Sequence, residues 1–333
     1  MKSFTNGDAD WSYTPTPVKG GGTYLFSDWY QSNTNTEIDA AVTLSNGTTE
    51  YDYIQTVLPS TAWAQTHIEY DAPATATSVT LYHLIQSVGT LTTTDYSFQT
   101  YVPSQFTRGI VSVSIDDGYE NDFTNALPIL QQYGITATHY IITSEQTNQA
   151  DMPNYMTVAQ VQTLHKDGQE TASHTVTHPD LTTVSSSQLT TELQQSQATL
   201  QGWIGAPVPD LAYPDGAYNQ TVATAAAKYY SLIRGIEPGF NTKDYTTFTD
   251  IKAESVDDDT TVAQVNAWVD EAKAQHTWLV LIYHEVANTP VYSDDALYTT
   301  KVADFQSEMS HIHSDGIAAE SIQQAAAEVG PQL

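Results

Sequence analysis

With 333 residues, 40% of them hydrophobic and 11% aromatic, the chain is long enough for one large or two medium domains and too apolar to be disordered. The 39 acidic residues outnumber 10 basic ones for a formal charge of −29, which repels phosphate backbones and anionic membranes and argues against nucleic acid as a partner; the excess itself reads as a solubility feature. The absence of cysteine excludes disulfides, thiolate metal sites and cysteine nucleophiles, and no run of 18 apolar residues is present to insert in a membrane as a helix.

The N-terminal hundred residues read as β-structure. Short alternating runs, TYLFSDWYQ (23–31), EIDAAVTLS (37–45), THIEYDA (66–72) and SVTLYHLIQ (78–86), are separated by turn-rich pieces such as SNGTTE and DAPATAT. This spacing predicts a β-sandwich over residues 1–104. Its aromatics, among them Trp11, Tyr13, Tyr24, Phe26, Trp29, Tyr30 and Trp63, divide between core positions and a platform able to stack on sugar rings.

A linker falls near TYVPSQFTRG (100–109), and from residue 105 to 333 strands alternate with helices. GIVSVSI (109–115), ITATHYII (135–142), QETASH (169–174), SLIRGI (231–236), WLVLIYH (278–284) and IAAESI (317–322) read as strands. Helices are predicted at NALPILQQYG (125–134), TVAQVQTLHKDG (157–168), 185–205, 221–230, 261–275 and around FQSEMSHIHSDG (305–316), with glycine stops or serine and threonine caps. Repeated βα units build a parallel sheet, as a barrel or a doubly wound layer, with catalytic groups at the C-terminal strand ends.

Those ends carry the chemistry. The first strand runs into Asp116 and Asp117, the third into His174 and His178, and the strand at 278–284 into His284. Two histidines four apart fall on one side of a helical or tight turn, and with one carboxylate they suffice for an open metal site. Two unrelated loop histidines are the plainer alternative; the neighbouring Asp pair favours the metal. Two carboxylates do not both stay ionised in a dry site unless a cation holds one, which leaves the other as a base. The aspartate run at 257–259 reads as serving the N-terminus of the helix that follows. His165, His311 and His313 read as helix-end or solvent histidines, and His139 as a core or rim histidine.

SIDDG (114–118), SHTVTH (173–178), YPDG (213–216) and LIYH (281–284), taken in this order, resemble the motifs of the polysaccharide deacetylase (NodB-homology) family, carbohydrate esterase family four. The resemblance spans roughly residues 108–325. It implies an irregular (β/α) barrel in which Asp117, His174 and His178 bind a divalent metal, usually zinc. Asp116 would be the general base, the Asp215 backbone N–H an oxyanion donor, and His284 the acid that protonates the leaving group. Tyr213, Pro214, Tyr218 and Tyr283 adjoin the motifs as candidate walls of a sugar cleft. The segments at 3–13 and 92–101 resemble terminal strands of jelly-roll carbohydrate-binding modules.

Two departures stand out. The family's usual arginine in the third motif is Ala212 here, and the fourth motif, an Asp/Trp stretch, has no clear match. Arg234, on the next strand, is the candidate substitute from a neighbouring strand end; an ordinary surface ion pair is the alternative. The resemblance implies metal-dependent deacetylation of an acetylated glycan, an N-acetylglucosamine polymer foremost. It also implies a secreted or cell-surface location, although the N-terminus MKSFTNGDADW lacks the apolar core of a signal peptide. The rival readings are a non-catalytic glycan-binding protein on the same scaffold, an O-acetyl xylan esterase and a small-amide deacetylase.

Overall fold

A computed structural model describes residues 1–2, 7–10, 13–148, 150–290 and 297–333, so Trp11 and most of the 3–13 segment lie outside the described residues. The chain forms two compact units. Met1–Pro103 with Glu237–Gly239 make one, and Ser104–Ile236 with Phe240–Leu333 the other.

The first unit holds β1 (Thr16–Pro17), β2 (Thr23–Ser32), β3 (Thr36–Leu44), β4 (Thr49–Val57), β5 (Ala64–Gln65), β6 (Ile68–Asp71), β7 (Ala76–Leu84) and β8 (Leu91–Thr100). They form two antiparallel sheets: one of order β1-β7-β3-β4, the other with β2 between β8 and the β5–β6 edge. Strict alternation along β2 buries Tyr24, Phe26 and Tyr30, which meet Ile38, Val42, Val79 and Leu81 of the facing sheet. This is the expected β-sandwich. Asp28 shares that inward face and is satisfied there by the Thr66 hydroxyl and by His83 Nδ1 at 2.8 Å, while His83 Nε2 meets Thr36 Oγ1 at 2.8 Å. Strand β4 escapes a sequence reading because most of TEYDYIQTV is exposed on a sheet edge, without a clear apolar alternation.

The second unit contains β9 (Ile110–Ile115), α1 (Leu127–Tyr133), β10 (Thr138–Ile141), α2 (Val158–Lys166), β11 (Glu170–Ser173), α3 (Ser186–Ile204), β12 (Asp210–Ala212) and α4 (Gln220–Ala226). It continues through β13 (Leu232–Arg234), β14 (Glu254–Ser255), α5 (Val262–Gln275), β15 (Trp278–Tyr283), β16 (Glu285–Val286), β17 (Thr299–Thr300), α6 (Val302–Asp315), β18 (Ala318–Ala319) and α7 (Ile322–Val329). The parallel sheet runs β13-β12-β11-β10-β9-β15-β14, with β18 wedged beside the start of β9. It closes through one short segment: Ile251 bonds to β13, and four residues later Ser255 lies in register with Ile282 of β15. The result is an irregular (β/α) barrel.

Caps explain the helix ends. Thr157 with Gln160, and Ser321 with Gln324, form reciprocal capping boxes, each side-chain cap contributing about 1 kcal/mol. Segment 317–322, expected as one strand, is strand only at Ala318–Ala319, because Ser321 already caps α7. Likewise the 257–259 aspartates lie outside the first turn of α5, whose cap is Thr261. Core packing follows strand parity. Val111, Val113 and Ile115 of β9 and Leu279, Leu281 and Tyr283 of β15 face the helices α1, α5 and α6. Ile110, Trp278, Val280 and Ile282 face the interior, with Tyr140, Ala172, Ala212 and one side of α7.

Candidate active site

The same parity sets the site. Inward positions on β9 are Ile110, Ser112 (which accepts from Trp278 Nε1 at 2.9 Å) and Ser114, so the next inward residue, just beyond the strand, is Asp116. On β15 the inward series Trp278, Val280, Ile282 continues to His284, and on β11 Ala172 is followed two residues later by His174. Arg234 ends β13, directly in register with Ala212 of β12.

Asp117 would point away if the strand simply continued. Left-handed backbone at Asp117 (φ 71°) and Gly118 (φ 80°) turns the chain instead. A side chain at Gly118 would lie 2.8 Å from Gln146 Nε2, the group that donates to the Gly118 carbonyl at 3.0 Å. The histidine pair is likewise made by a turn, with Thr175 at φ 67° and His178 at φ 53°. Such non-glycine conformations cost of order 1–2 kcal/mol each. Glu192 of α3 offsets that cost by accepting from Val176 N at 2.8 Å, Thr177 N at 2.9 Å and Thr177 Oγ1 at 2.7 Å.

Among the described residues, Asp117, His174 and His178 form the only group of three acid or histidine side chains able to hold a metal. His174 Nε2 lies 3.1 Å from His178 Nε2 and 3.6 Å from Asp117 Oδ1, and His178 Nε2 lies 3.9 Å from that oxygen. Donors sharing one ion at 2.0–2.1 Å stand roughly 3–3.5 Å apart, so the set fits a divalent cation with slight contraction. His174 Nδ1 donates to the Ala212 carbonyl at 3.0 Å, which leaves the Nε2 lone pair facing the other two ligands. Burial, reinforced by His178, pushes the His174 imidazole down to about 3, against the pull of Asp116, so the ring is held in its neutral, ligating form.

Asp116 is 3% exposed, and burial alone would raise its pKa. Arg234, with His174 and His284, outweighs burial and holds the carboxyl below the ordinary aspartate range. Arg234 Nη2 donates to Asp116 Oδ2, Nη1 donates to the Gly235 carbonyl at 3.2 Å, and the guanidinium carbon lies 4.9 Å from the Tyr140 ring centre. His284 Nε2 stands 4.0 Å from Asp116 Oδ2.

These groups open onto one cavity of about 400 Å³ that Tyr213 and Asp215 also line. Three residues expected at the cleft do not line it. Tyr283 faces outward by strand parity and donates from its hydroxyl to Glu308 Oε2 at 2.9 Å. Tyr218 stacks behind Tyr213, ring centres 4.8 Å apart, and donates to Asp250 Oδ2 at 2.9 Å. Pro214 is buried in the turn after β12. Conversely, Ser255, Ile236 and Tyr298 line the cavity with no signal for it in the sequence, and so does Asp257, which the sequence assigns to a helix end. Asp257 carries a buried Oδ1 with no hydrogen-bond partner among the described residues, and burial, then Asp259 and Asp258, raise its pKa. Its place just past β14, on the rim shared by the other strand ends, was the signal available for it.

Residues 104–231 match the family model described as polysaccharide deacetylase. A gellan lyase from a Bacillus species is 36% identical over 128 residues, 38% of this chain and 5% of the lyase. YxkH of Bacillus subtilis (strain 168) is 27% identical over 135 residues, 40% of this chain and 47% of YxkH, so the chain matches less than half the length of either relative. Among solved structures, the Streptococcus pyogenes deacetylase PplD in complex with acetate is 27% identical, covering 43% of this chain and 62% of that one at a TM-score of 0.40. The Xyl-CE4 domain of a multidomain xylanase from the hindgut metagenome of Trinervitermes trinervoides is 17% identical, covering 67% and 92% at 0.49. The chain therefore carries a polysaccharide deacetylase domain at residues 104–231, preceded by a β-rich N-terminal region.

Proposed function

We propose that this chain removes acetyl groups from an acetylated polysaccharide, with an N-acetylated glucosamine polymer as substrate. One observation carries the reading: a buried, ionised base, a three-residue metal ligand set and a third histidine share one cavity. Asp117, His174 and His178 would hold a divalent cation, zinc by the chemistry of two imidazoles and a carboxylate. When bound, it supplies Lewis acidity for the acyl carbonyl and for water.

The chain's own groups do the rest. Asp116 accepts the proton of the attacking water, and Arg234 keeps it ionised and aimed for that task. His284, whose Nε2 stands 4.0 Å from Asp116 Oδ2 in the same cavity, donates a proton to the leaving nitrogen. The Asp215 backbone N–H, at a residue held at φ 54° on the cavity wall, is the oxyanion donor. Tyr298, 44% exposed on the cavity wall, offers an aromatic ring to a sugar, whereas Tyr213 is only 1% exposed there.

The test is acetate release from a panel of acetylated glycans, N-acetylglucosamine oligomers and acetylated xylan included. Wild type, Asp116→Asn and a chelated sample are compared. Acetate from the wild type alone supports the reading. Equal signals from all three samples, or none from any glycan, refute it and leave a glycan-binding protein on this scaffold. Faster release from xylan moves the substrate to an O-acetyl ester.

A further inference from the structure

Hydrogen bonds grip the Arg234 guanidinium at one end. Nη2 donates to Asp116 Oδ2 and Nη1 to the Gly235 carbonyl, while the buried Nε has no hydrogen-bond partner among the described residues. A guanidinium held through its Nη atoms alone still rocks about the line joining them, and rocking degrades its alignment with the carboxylate. Its plane has to be fixed by a different contact.

The sheet register supplies one. Arg234 pairs with Ala212 and Leu211 with Ser173, so Arg234, Ala212 and His174 make one inward row across β13, β12 and the end of β11. One layer deeper, Tyr140 of β10 pairs with Ala172 of β11. The two alanines keep this part of the interior open, and the Arg234 guanidinium carbon comes to 4.9 Å from the Tyr140 ring centre, within the range at which a ring face attracts a cation. Arg234 is 1% exposed and Tyr140 0%, so water does not screen the contact. Burial, then Asp210, push the Tyr140 phenol well above its ordinary range. Tyr140 therefore offers Arg234 a neutral ring and not an anion that would compete with Asp116. Its hydroxyl has no hydrogen-bond partner among the described residues, so the ring is what this position uses.

We propose that Tyr140 is a positioning residue for the base: its ring face seats the Arg234 guanidinium and thereby keeps Asp116 aimed. The step it serves, proton acceptance by Asp116, rests on the deacetylase reading. Tyr140 lies a layer below the cavity lining and acts only through Arg234, so its effect falls on turnover and not on substrate binding.

The test replaces Tyr140 by phenylalanine and by mono-, di- and trifluorinated phenylalanines, which keep the ring in place while draining negative charge from its face. Acetate release, zinc content and denaturant midpoint are measured for each. The midpoints are measured again in an Asp116→Asn/Arg234→Met background, which removes both charges without stranding either. Tyr140→Phe should match the parent. Fluorination should lower kcat stepwise, by about tenfold at the trifluoro ring, with KM changed less than about twofold. Zinc content should stay constant, and the midpoint should fall with fluorination only where Arg234 is present. Rates and midpoints indifferent to fluorination overturn the proposal, as do midpoints that fall equally in both backgrounds. A rate that falls in step with zinc content also overturns it, since the ring then acts on His174, whose ring centre is 6.3 Å away. If no sample releases acetate, the deacetylase reading fails, and the two sets of midpoints still decide whether the ring seats Arg234.

Discussion

Arg234 and Asp116, 118 residues apart in the chain, meet in a buried ion pair across the barrel interior. Three strands separate β13 from β9 in the sheet, so the pair spans the barrel instead of joining neighbours. Both side chains are almost fully buried, and a pair of this kind costs about 3–5 kcal/mol when one partner is removed, because the other charge is stranded.

Arg234→Ala is therefore expected to lower kcat by about a hundredfold or more, with a smaller effect on KM. The acid limb of the kcat/KM profile moves to higher pH, because Asp116 loses the cation that holds its pKa down. Arg234→Lys recovers part of the rate. An unchanged pH profile in the alanine variant would show that the pair only braces the barrel.

Chelation should abolish acetate release, and added zinc should restore it. Asp117→Ala, His174→Ala and His178→Ala should each weaken zinc binding more than tenfold, read by isothermal titration and by metal content after dialysis. Asp116→Asn, beside the ligand set but outside it, should lose activity while retaining metal. Equal zinc affinity in the wild type and the three alanine variants would remove this site as the metal centre.

Gly216 holds φ 64°, and a methyl group added there would come within 2.3 Å of the Ile236 side chain, which lines the same cavity. Gly216→Ala is expected to destabilise by about 1 kcal/mol from backbone strain alone and to displace Ile236, raising KM. Ile236→Ala added to Gly216→Ala should restore much of the KM but not the stability lost to strain. Thermal melts and Michaelis–Menten analysis of the two single variants and the double variant separate the two effects.

Glu308 lies behind Tyr283 in the outer core, and burial pushes its carboxyl up to about 7, offset in part by the Tyr283 hydrogen bond. The protonated acid is favoured by folding. Its stabilising contribution is complete below the unfolded value near 4.5 and is lost as pH rises through about 7. Between pH 5 and pH 8 this amounts to something on the order of 3 kcal/mol. Glu308→Gln keeps the shape and hydrogen-bonding capacity but cannot ionise, so its denaturant midpoint should fall less over that interval. Parallel curves for variant and wild type would refute the assignment.

What was legible in the sequence was local or periodic. Alternation identified the sandwich strands and the buried barrel strands, and turn or cap residues such as Ser185 and Gly134 marked helix ends. The rim positions of Asp116, His174 and His284 followed from where strands stop, a property of chain order in a βα repeat. Tyr283 and Tyr218 failed as cleft residues because adjacency in sequence says nothing of which strand face or ring stack a side chain joins. Asp257 reads as a helix-end charge in the sequence because it precedes the threonine cap of α5, and only the folded position of β14 on the rim puts it on the cavity.

The sequence by itself determined the two kinds of unit, the order of βα repeats and the collection of acids and histidines at strand ends, because these depend on period and spacing alone. Only the tertiary structure decided which charge meets Asp116. Closure of the barrel brings β13 across from β9, and Arg234, in register with Ala212, reaches inward to a carboxylate that no local pattern links to it.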